Sequence, residues 1–336
     1  MFQLASLFIL TLFHYLALTY LFIPKDVARW MLAGTAASTN RTYTGSQRAY
    51  LDFCAAHHRQ PLPASEALLM EYTVFLHRNG RQASTCASHL SAIRHLHLIN
   101  NCSDPLLGAD RLALVKRGIA TCKKPLPLRA PITNEVLNSF LAILDLSVFE
   151  DALVFAISCL GVFGFLRVSE YLAPGLSFDP SSILTPADIS WFPGRIELLI
   201  KSSKGDRLRQ GVRISLGRSS SAVCPMKALL GYLMHRSRIV PPPDLATSPL
   251  FLSQDGLPVL KPWFAARLAD LGKRVGVQGE VKPHSLRIGA ATSAWRAGYS
   301  DSQIQALGRW RSDSFLRYLR PCAKDMARLS SRLAPL

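Results

Sequence analysis

Residues 151–165 are apolar almost all round, and a helix without a polar face belongs in the interior of a protein. Any fold open to this chain must therefore wrap other elements around that helix. The stretch that follows, Gly164-Phe165-Leu166-Arg167-Val168-Ser169-Glu170, carries a guanidinium out of the core at Arg167. A buried charge left unmatched is costly. Two partners can meet it: Glu170, three residues on and within reach across one helical turn, or a bound phosphate.

The chain around this helix falls into two patterns. Before it, residues 40–56, 65–79, 84–98 and 108–122 show helical spacing, with Tyr43, Tyr50, Leu51 and Phe53 in the first and Leu68, Leu69, Tyr72, Phe75 and Leu76 in the second. Pro61 and Pro63 separate these two, and Ser65 with Glu66 opens the second. Four short helices with polar or proline joints make a small bundle, an architecture that fits many uses by itself. Residues 111–129 then hold Arg111, Lys116, Arg117, Lys123, Lys124 and Arg129 and no acidic residue. Such a run is a solvated face or a phosphate-contacting one, and Pro125, Pro127 and Pro131 stiffen it into a linker. Beyond it, Thr133 can cap a helix bearing Val136, Leu137 and Phe140. Strand character runs through residues 183–215: Ile189 with Trp191 and Phe192, then residues 196–200, then residues 211–214. Turns fall at Pro193-Gly194 and Lys204-Gly205-Asp206. Further helices are expected from Cys224-Pro225 to Met234 and over residues 263–271, with a small hairpin between them around Gln254-Asp255-Gly256. The predicted class is mainly α with a small antiparallel β-sheet (α+β).

At 336 residues, 49% hydrophobic and 18% charged, the chain is globular rather than disordered and has room for one large domain or two ordinary ones. Its net charge of +17 calls for a polyanionic partner, of which nucleic acid is the first candidate; a ribosomal-type or membrane-surface protein is the alternative. The seven cysteines are scattered with no C-x-x-C pair, so neither a zinc site nor a disulfide framework is indicated. They fit small buried hydrophobes in a reducing compartment. The sequence has no internal repeat, no P-loop and no carboxylate cluster for a metal, and no cofactor is expected. From Leu4 to Ile23 it is almost wholly apolar, long enough to span a bilayer, yet without a basic n-region or cleavage site. Three readings fit that segment: a membrane anchor, a helix packed on the protein, or a stretch gained through gene-model error or element decay.

The chemistry concentrates near the C-terminus. Pro283 can open a helix at its first turn, which places His284 and Arg287 on one face. Ser300 with Gln303 forms a capping box, and Gly308 suits the helix stop. A further helix can start at Ser312 or Asp313 and must end by Pro321, with Tyr318 in its last turn. A phenol near an arginine and a histidine can attack a phosphate. The phenol is then the nucleophile, the guanidinium holds the non-bridging oxygens and the imidazole handles a proton. Alone, His284 fits a surface or core histidine and Tyr318 a core aromatic; their joint occurrence points to a site.

In its motifs and their order the chain resembles the tyrosine recombinase (phage integrase) family. Pro283-His284-Ser285-Leu286-Arg287 resembles the His-x-x-Arg motif, Leu307-Gly308-Arg309-Trp310 the Gly-His or Gly-Trp box, and Arg317-Tyr318-Leu319-Arg320 the tyrosine motif. Residues 164–170 resemble the upstream arginine box with its acidic residue, and residues 200–207 the hairpin that carries a lysine, here Lys204 or Lys201. The third box departs from the pattern. By spacing, the histidine or tryptophan position falls on Arg309, with Trp310 one residue later, and either can donate to a phosphate oxygen. Gly-Arg-Trp is similar to the wording in recombinases of eukaryotic mobile elements.

Residues 1–32 are set apart as a hydrophobic N-terminal segment with no assigned role. The resemblance implies a helical core-binding (SAM-like) DNA-binding domain at 33–124, a linker at 125–131 and a tyrosine recombinase-type catalytic domain at 132–336. Arg94, Lys116, Arg117, Lys123, Lys124, Lys201 and Arg207 would contact DNA. Tyr318 would attack the scissile phosphate and form a 3′-phosphotyrosyl bond as the 5′-hydroxyl leaves. Arg167 and Arg287 would hold the developing charge, Glu170 would orient Arg167, His284 would take or orient a proton, and Lys204 would be the general acid. The implied partner is double-stranded DNA, the assembly a homo-tetramer on it, and the compartment the nucleus or nucleoid. Type IB topoisomerases use the same chemistry. A catalytically silent DNA-binding protein derived from a mobile-element recombinase is the alternative.

Overall fold

The computed structural model describes residues 24–122, 128–202, 210–239 and 247–333. The chain divides into two compact units, Met1–Leu126 and Pro127–Leu336. Each has its own hydrophobic core.

The first unit holds α1 (Lys25–Ala33), α2 (Ala37–Ala56), α3 (Glu66–Arg78), α4 (Ala83–Ile99) and α5 (Asp110–Thr121). All of helix α1 but Ala33 falls within residues 1–32, where the sequence predicts only a hydrophobic segment. Asp26 sits in its first turn, where negative charge is favoured, and Met31 packs against the core of the unit. The other four match the helical spacing of the sequence, because their apolar stripes meet around Tyr50, Leu69, Tyr72, Leu90 and Ile93. Ser65 caps α3 by accepting the Leu68 amide at 3.2 Å. Glu66 then joins α3 to α5, accepting from the Leu112 amide at 3.0 Å and from Arg111 Nε at 2.8 Å. His97 is fully buried: its Nε2 accepts the Ala64 amide and its Nδ1 faces the Ile93 carbonyl, both at 2.8 Å. That pairing requires the neutral ring with its proton on Nδ1, and burial pushes its pKa down.

In the second unit the all-apolar stretch is α7 (Phe149–Phe163), following α6 (Asn134–Ile143) and leading to the short α8 (Val168–Tyr171). Every side chain of α7 from Ala152 to Val162 is buried. Against it pack α9 (Pro225–Arg236), α10 (Lys261–Arg274) and α11 (His284–Arg296), and α12 (Asp301–Gly308) packs on α11. The 3-10 helix Asp313–Tyr318 and α13 (Ala323–Ser330) follow. The antiparallel sheet has the order β1 (Ile189–Phe192), β2 (Arg195–Ile200), β3 (Val212–Gly217). Its register sets Trp191 opposite Ile196 and Leu198 opposite Ile214. The two-residue turn between β1 and β2 needs Gly194 at φ 78, a conformation open to glycine at little cost. Ile196, Leu198, Ile200 and Leu216 turn the sheet's apolar side to the core. The second expected turn, Lys204-Gly205-Asp206, lies outside the described residues.

Three details differ from the expectation. Thr133 precedes α6 but its side chain makes no cap bond; the Asn134 amide instead donates to Ser293 Oγ at 3.2 Å. Arg129 and Ala130, expected in the linker, run parallel to Glu280, and the Ala130 amide donates to the Glu280 carbonyl at 2.9 Å. Cys54, Cys86, Cys159 and Cys224 are buried as expected, whereas Cys122 and Cys322 are exposed because they sit at helix ends. Among the described residues no helix is long and apolar enough to cross a membrane; the segment from Leu4 to Ile23 lies outside them.

Glycine sets how closely α11 is approached. A Cβ on Gly161 of α7 would sit 2.7 Å from Leu286 Cδ1, and one on Gly289 only 1.8 Å from the Ile132 carbonyl oxygen. The Ile132 amide donates to the Ser285 carbonyl at 3.0 Å, so that backbone cannot simply withdraw. Gly289→Ala is expected to cost about 3 kcal/mol by overpacking, read as a Tm lower by roughly 6–12 °C. A melt superimposable on the parent's would show that residues 130–132 do not lie there.

Candidate active site

Helix α11 begins at His284, with Pro283 as its N-cap residue. A proline's fixed φ suits that entry, and the Lys282 amide donates to Ser285 Oγ at 3.1 Å to close the first turn. His284 and Arg287 therefore leave the same face, three residues apart. Arg287 is 1% exposed. It donates to the carbonyls of Phe165 and Gly308, and its guanidinium carbon lies 4.2 Å from the centroid of the Trp310 ring. Burial, followed by the like charges of Arg167 and Arg309, pushes its pKa down to about 9, so it remains a cation at neutral pH.

The arginine box arrives from the other side. Helix α7 ends at Phe163, Phe165 takes a left-handed φ of 48, and Arg167 becomes the N-cap residue of α8. Glu170 is almost fully buried. Its Oε2 accepts the Arg167 amide at 3.0 Å, and its Oε1 accepts from Arg167 Nη1 at 3.0 Å. The expected pair thus forms, with the Arg167 side chain still 24% exposed. Glu170 serves a second cation as well: Arg309 Nη2 donates to Oε2 at 2.9 Å. Among the described residues, the guanidinium groups of Arg167, Arg287 and Arg309 gather near one carboxylate, an excess of two positive charges. In electrostatic terms this is an anion site.

Arg309, expected as a fork for a phosphate, is directed into the arginine box. Ser300 and Gln303 form the predicted capping box of α12, but the left-handed residue that ends the helix is Arg309 at φ 55, not Gly308. That turn sends the guanidinium inward. It donates to the carbonyls of Gly164 at 3.1 Å and Phe165 at 3.4 Å besides Glu170, and its side chain is only 13% exposed. Gly308 is needed for a different reason than a helix stop: a Cβ there would fall 1.6 Å from the Trp310 ring. Trp310 is nearly buried. It packs edge-on to Phe165 and lies 5.3 Å, ring to ring, from Tyr318.

Tyr318 is the last residue of a 3-10 helix rather than of an α-helix. Only Phe315 of that helix is buried, and 3-10 geometry suits so short a piece. The half-buried phenol ring meets the His284 ring at 5.0 Å between centroids, tilted by 62°. The phenol, His284, Arg287, Trp310, Arg167, Glu170 and Arg309 thus belong to one contiguous set. Thr292, which no motif singles out, donates to the Tyr318 carbonyl at 3.2 Å. Its only signal in the sequence is its place eight residues after His284, on the same helical face.

Other expected residues lie elsewhere. Lys201 Nζ pairs with the buried Asp188 carboxylate at 2.6 Å and donates to the Pro180 and Ile183 carbonyls. An ammonium held this way has its donors taken up within the fold. In the first unit Arg94 pairs with Asp104 at 2.6 Å while keeping an exposed side chain, and Lys116 and Arg117 are exposed on α5. Lys123, Lys124, Lys204 and Arg207 lie outside the described residues.

The fold is that of the tyrosine recombinases. One similar solved structure is the XerH site-specific recombinase bound to palindromic difH substrate, a post-cleavage complex. The match is 17% identical, covers 87% of this chain and 78% of that one, and has a TM-score of 0.62. The Tn1549 transposon integrase in complex with transposon right end DNA matches at 16% identity over 86% and 93% of the two chains, with a TM-score of 0.57. A lambda integrase dimer bound to a COC' core site matches at 15% identity over 89% and 95%, with a TM-score of 0.55. No protein family model and no curated protein matches the chain.

Burial, then the charges of Arg129, Arg287, Arg167 and Lys261, push the His284 pKa down to about 4 from its ordinary 6.5. Between those values the unfolded chain binds a proton that the folded one does not. The stabilisation from the neutral ring is therefore complete above pH 6.5 and drains away as the pH falls toward 4. His284→Asn should make the decline of Tm over that interval shallower than in the parent. Parallel curves would show that the ring titrates normally.

Proposed function

We propose that this chain is a site-specific DNA recombinase or integrase that cuts and rejoins double-stranded DNA through a 3′-phosphotyrosyl intermediate. The observation that carries the reading is the phenol of Tyr318 packed against the neutral His284 and against Trp310, next to a guanidinium cluster with two charges to spare. A phosphodiester seated there would neutralise Arg167 and Arg287 and relieve the repulsion between them. Tyr318 Oη attacks phosphorus and passes its proton to His284; the P–O5′ bond breaks, and the leaving oxygen takes a proton from Lys204. Arg167 and Arg287 stabilise the charge that builds on the non-bridging oxygens. Glu170, shared with Arg309, fixes the direction of Arg167. Lys204 is preferred to Lys201 as the acid because Lys201 is committed to Asp188.

The phosphotyrosyl ester keeps the energy of the bond it replaces, so a new 5′-hydroxyl can reverse the step without a nucleotide. In this reading residues 33–124 form the core-binding domain, with Arg94, Lys116 and Arg117 toward the phosphates, and the protein acts as a homo-tetramer in the nucleus or nucleoid. The DNA complexes among the similar structures support the choice of substrate.

The test uses a nicked suicide duplex, which traps the cleaved state. The parent should yield a protein–DNA band that survives denaturation. Tyr318→Phe should abolish it with DNA affinity within about twofold, and Arg287→Ala should slow its formation at least ~100-fold. An adduct that persists in Tyr318→Phe would remove Tyr318 as the nucleophile.

A further inference from the structure

Helix α11 fixes more than its own first turn. Thr292, two turns beyond His284, is fully buried and its hydroxyl makes three contacts. It donates to the Ile288 carbonyl at 2.9 Å and to the Tyr318 carbonyl at 3.2 Å, and it accepts the Arg320 amide at 3.2 Å. A hydroxyl has one proton and two acceptor lone pairs, so the proton is shared between the two carbonyls while a lone pair takes the amide. The contacts to Tyr318 and Arg320 bracket Leu319, and they tie the end of the 3-10 helix to the rod that carries His284 and Arg287.

The other contacts that end makes are side-chain packing of Tyr318 and Leu319 against the core. Leu316 and Arg317 are exposed, and Tyr318, Leu319 and Arg320 are only partly buried. Arg320 Nη1 bonds to the carbonyls of Arg317 and Leu319, which lie within the same segment and so tie it to nothing outside. With the Tyr318 backbone pinned, its side chain has two torsions left, and the rings of His284 and Trp310 confine both.

We infer that Thr292 is a positioning residue for the nucleophile: its hydroxyl sets the Tyr318 phenol beside the guanidinium cluster by clamping the backbone on both sides of Leu319. The inference rests on the reading of Tyr318 as the nucleophile. A displacement of about 1 Å at a reacting group can cost on the order of 100-fold in rate, so a clamp of this kind is legible in kinetics.

Thr292→Val keeps the branched shape and removes the hydroxyl. On the suicide duplex at saturating protein, the rate of adduct formation should fall roughly 10–100-fold, with DNA affinity unchanged. Exchange at the Arg320 amide should quicken, and Thr292→Ser should bring the rate back close to the parent's. An unchanged adduct rate in Thr292→Val, a loss matched by an equal loss of DNA affinity, or no recovery in Thr292→Ser would each overturn the assignment. Amide exchange reads the clamp apart from the chemistry. Unchanged exchange at Arg320 in Thr292→Val overturns the clamp, whereas quickened exchange beside an adduct that survives Tyr318→Phe places the fault in the choice of nucleophile.

Discussion

The carboxylate of Glu170 is the interaction on which the site depends. It is buried, and its two oxygens collect the Arg167 amide, the Arg167 guanidinium and the Arg309 guanidinium. Removing one partner of a buried charge pair costs about 3–5 kcal/mol because the survivor is left unmatched; here two cations would be left at once. Glu170 also joins segments that are 139 residues apart. The end of the buried helix α7 and the end of α12 are held together through it, and Arg287 completes the join by donating to the Phe165 and Gly308 carbonyls.

A second constraint is the continuity of α11 from His284 to Arg296. It presents His284 and Arg287 at one end and Thr292 in its middle, and Gly161 and Gly289 let α7 and the Ile132 backbone lie against it. The parts that do chemistry in the proposed reaction are thus referred to one rigid element. The element that brings the phenol is weak by contrast, a short 3-10 piece with one buried side chain.

Much of this was legible in the sequence because the signals were local. The helix spacing around Tyr50, Leu69 and Leu90, the capping box at Ser300, the glycine turn at Gly194 and the run of apolar residues in α7 all report on neighbours close along the chain. That His284 and Arg287 share a face was legible locally. The meeting of Arg167 with that face and with Tyr318 was legible only through the family resemblance, since nothing local links residue 167 to residues 284–318. What the sequence missed was tertiary. Arg309 turns inward because a left-handed backbone and an acid more than a hundred residues away direct it. Lys201 is taken up by Asp188, which no spacing rule pairs with it. Thr292 looks like an ordinary helical threonine until its partners are known.

The contact between Gly308 and Trp310 makes those two positions a single unit of variation. With no room for even one methyl group on residue 308, a larger residue there can enter a lineage only after the indole has shrunk. Losing the indole in turn strips Arg287 and Tyr318 of the surface they share. Drift at either position is therefore channelled: the pair changes together or stays as it is, and Arg309 between them, facing inward, has its own reason to remain.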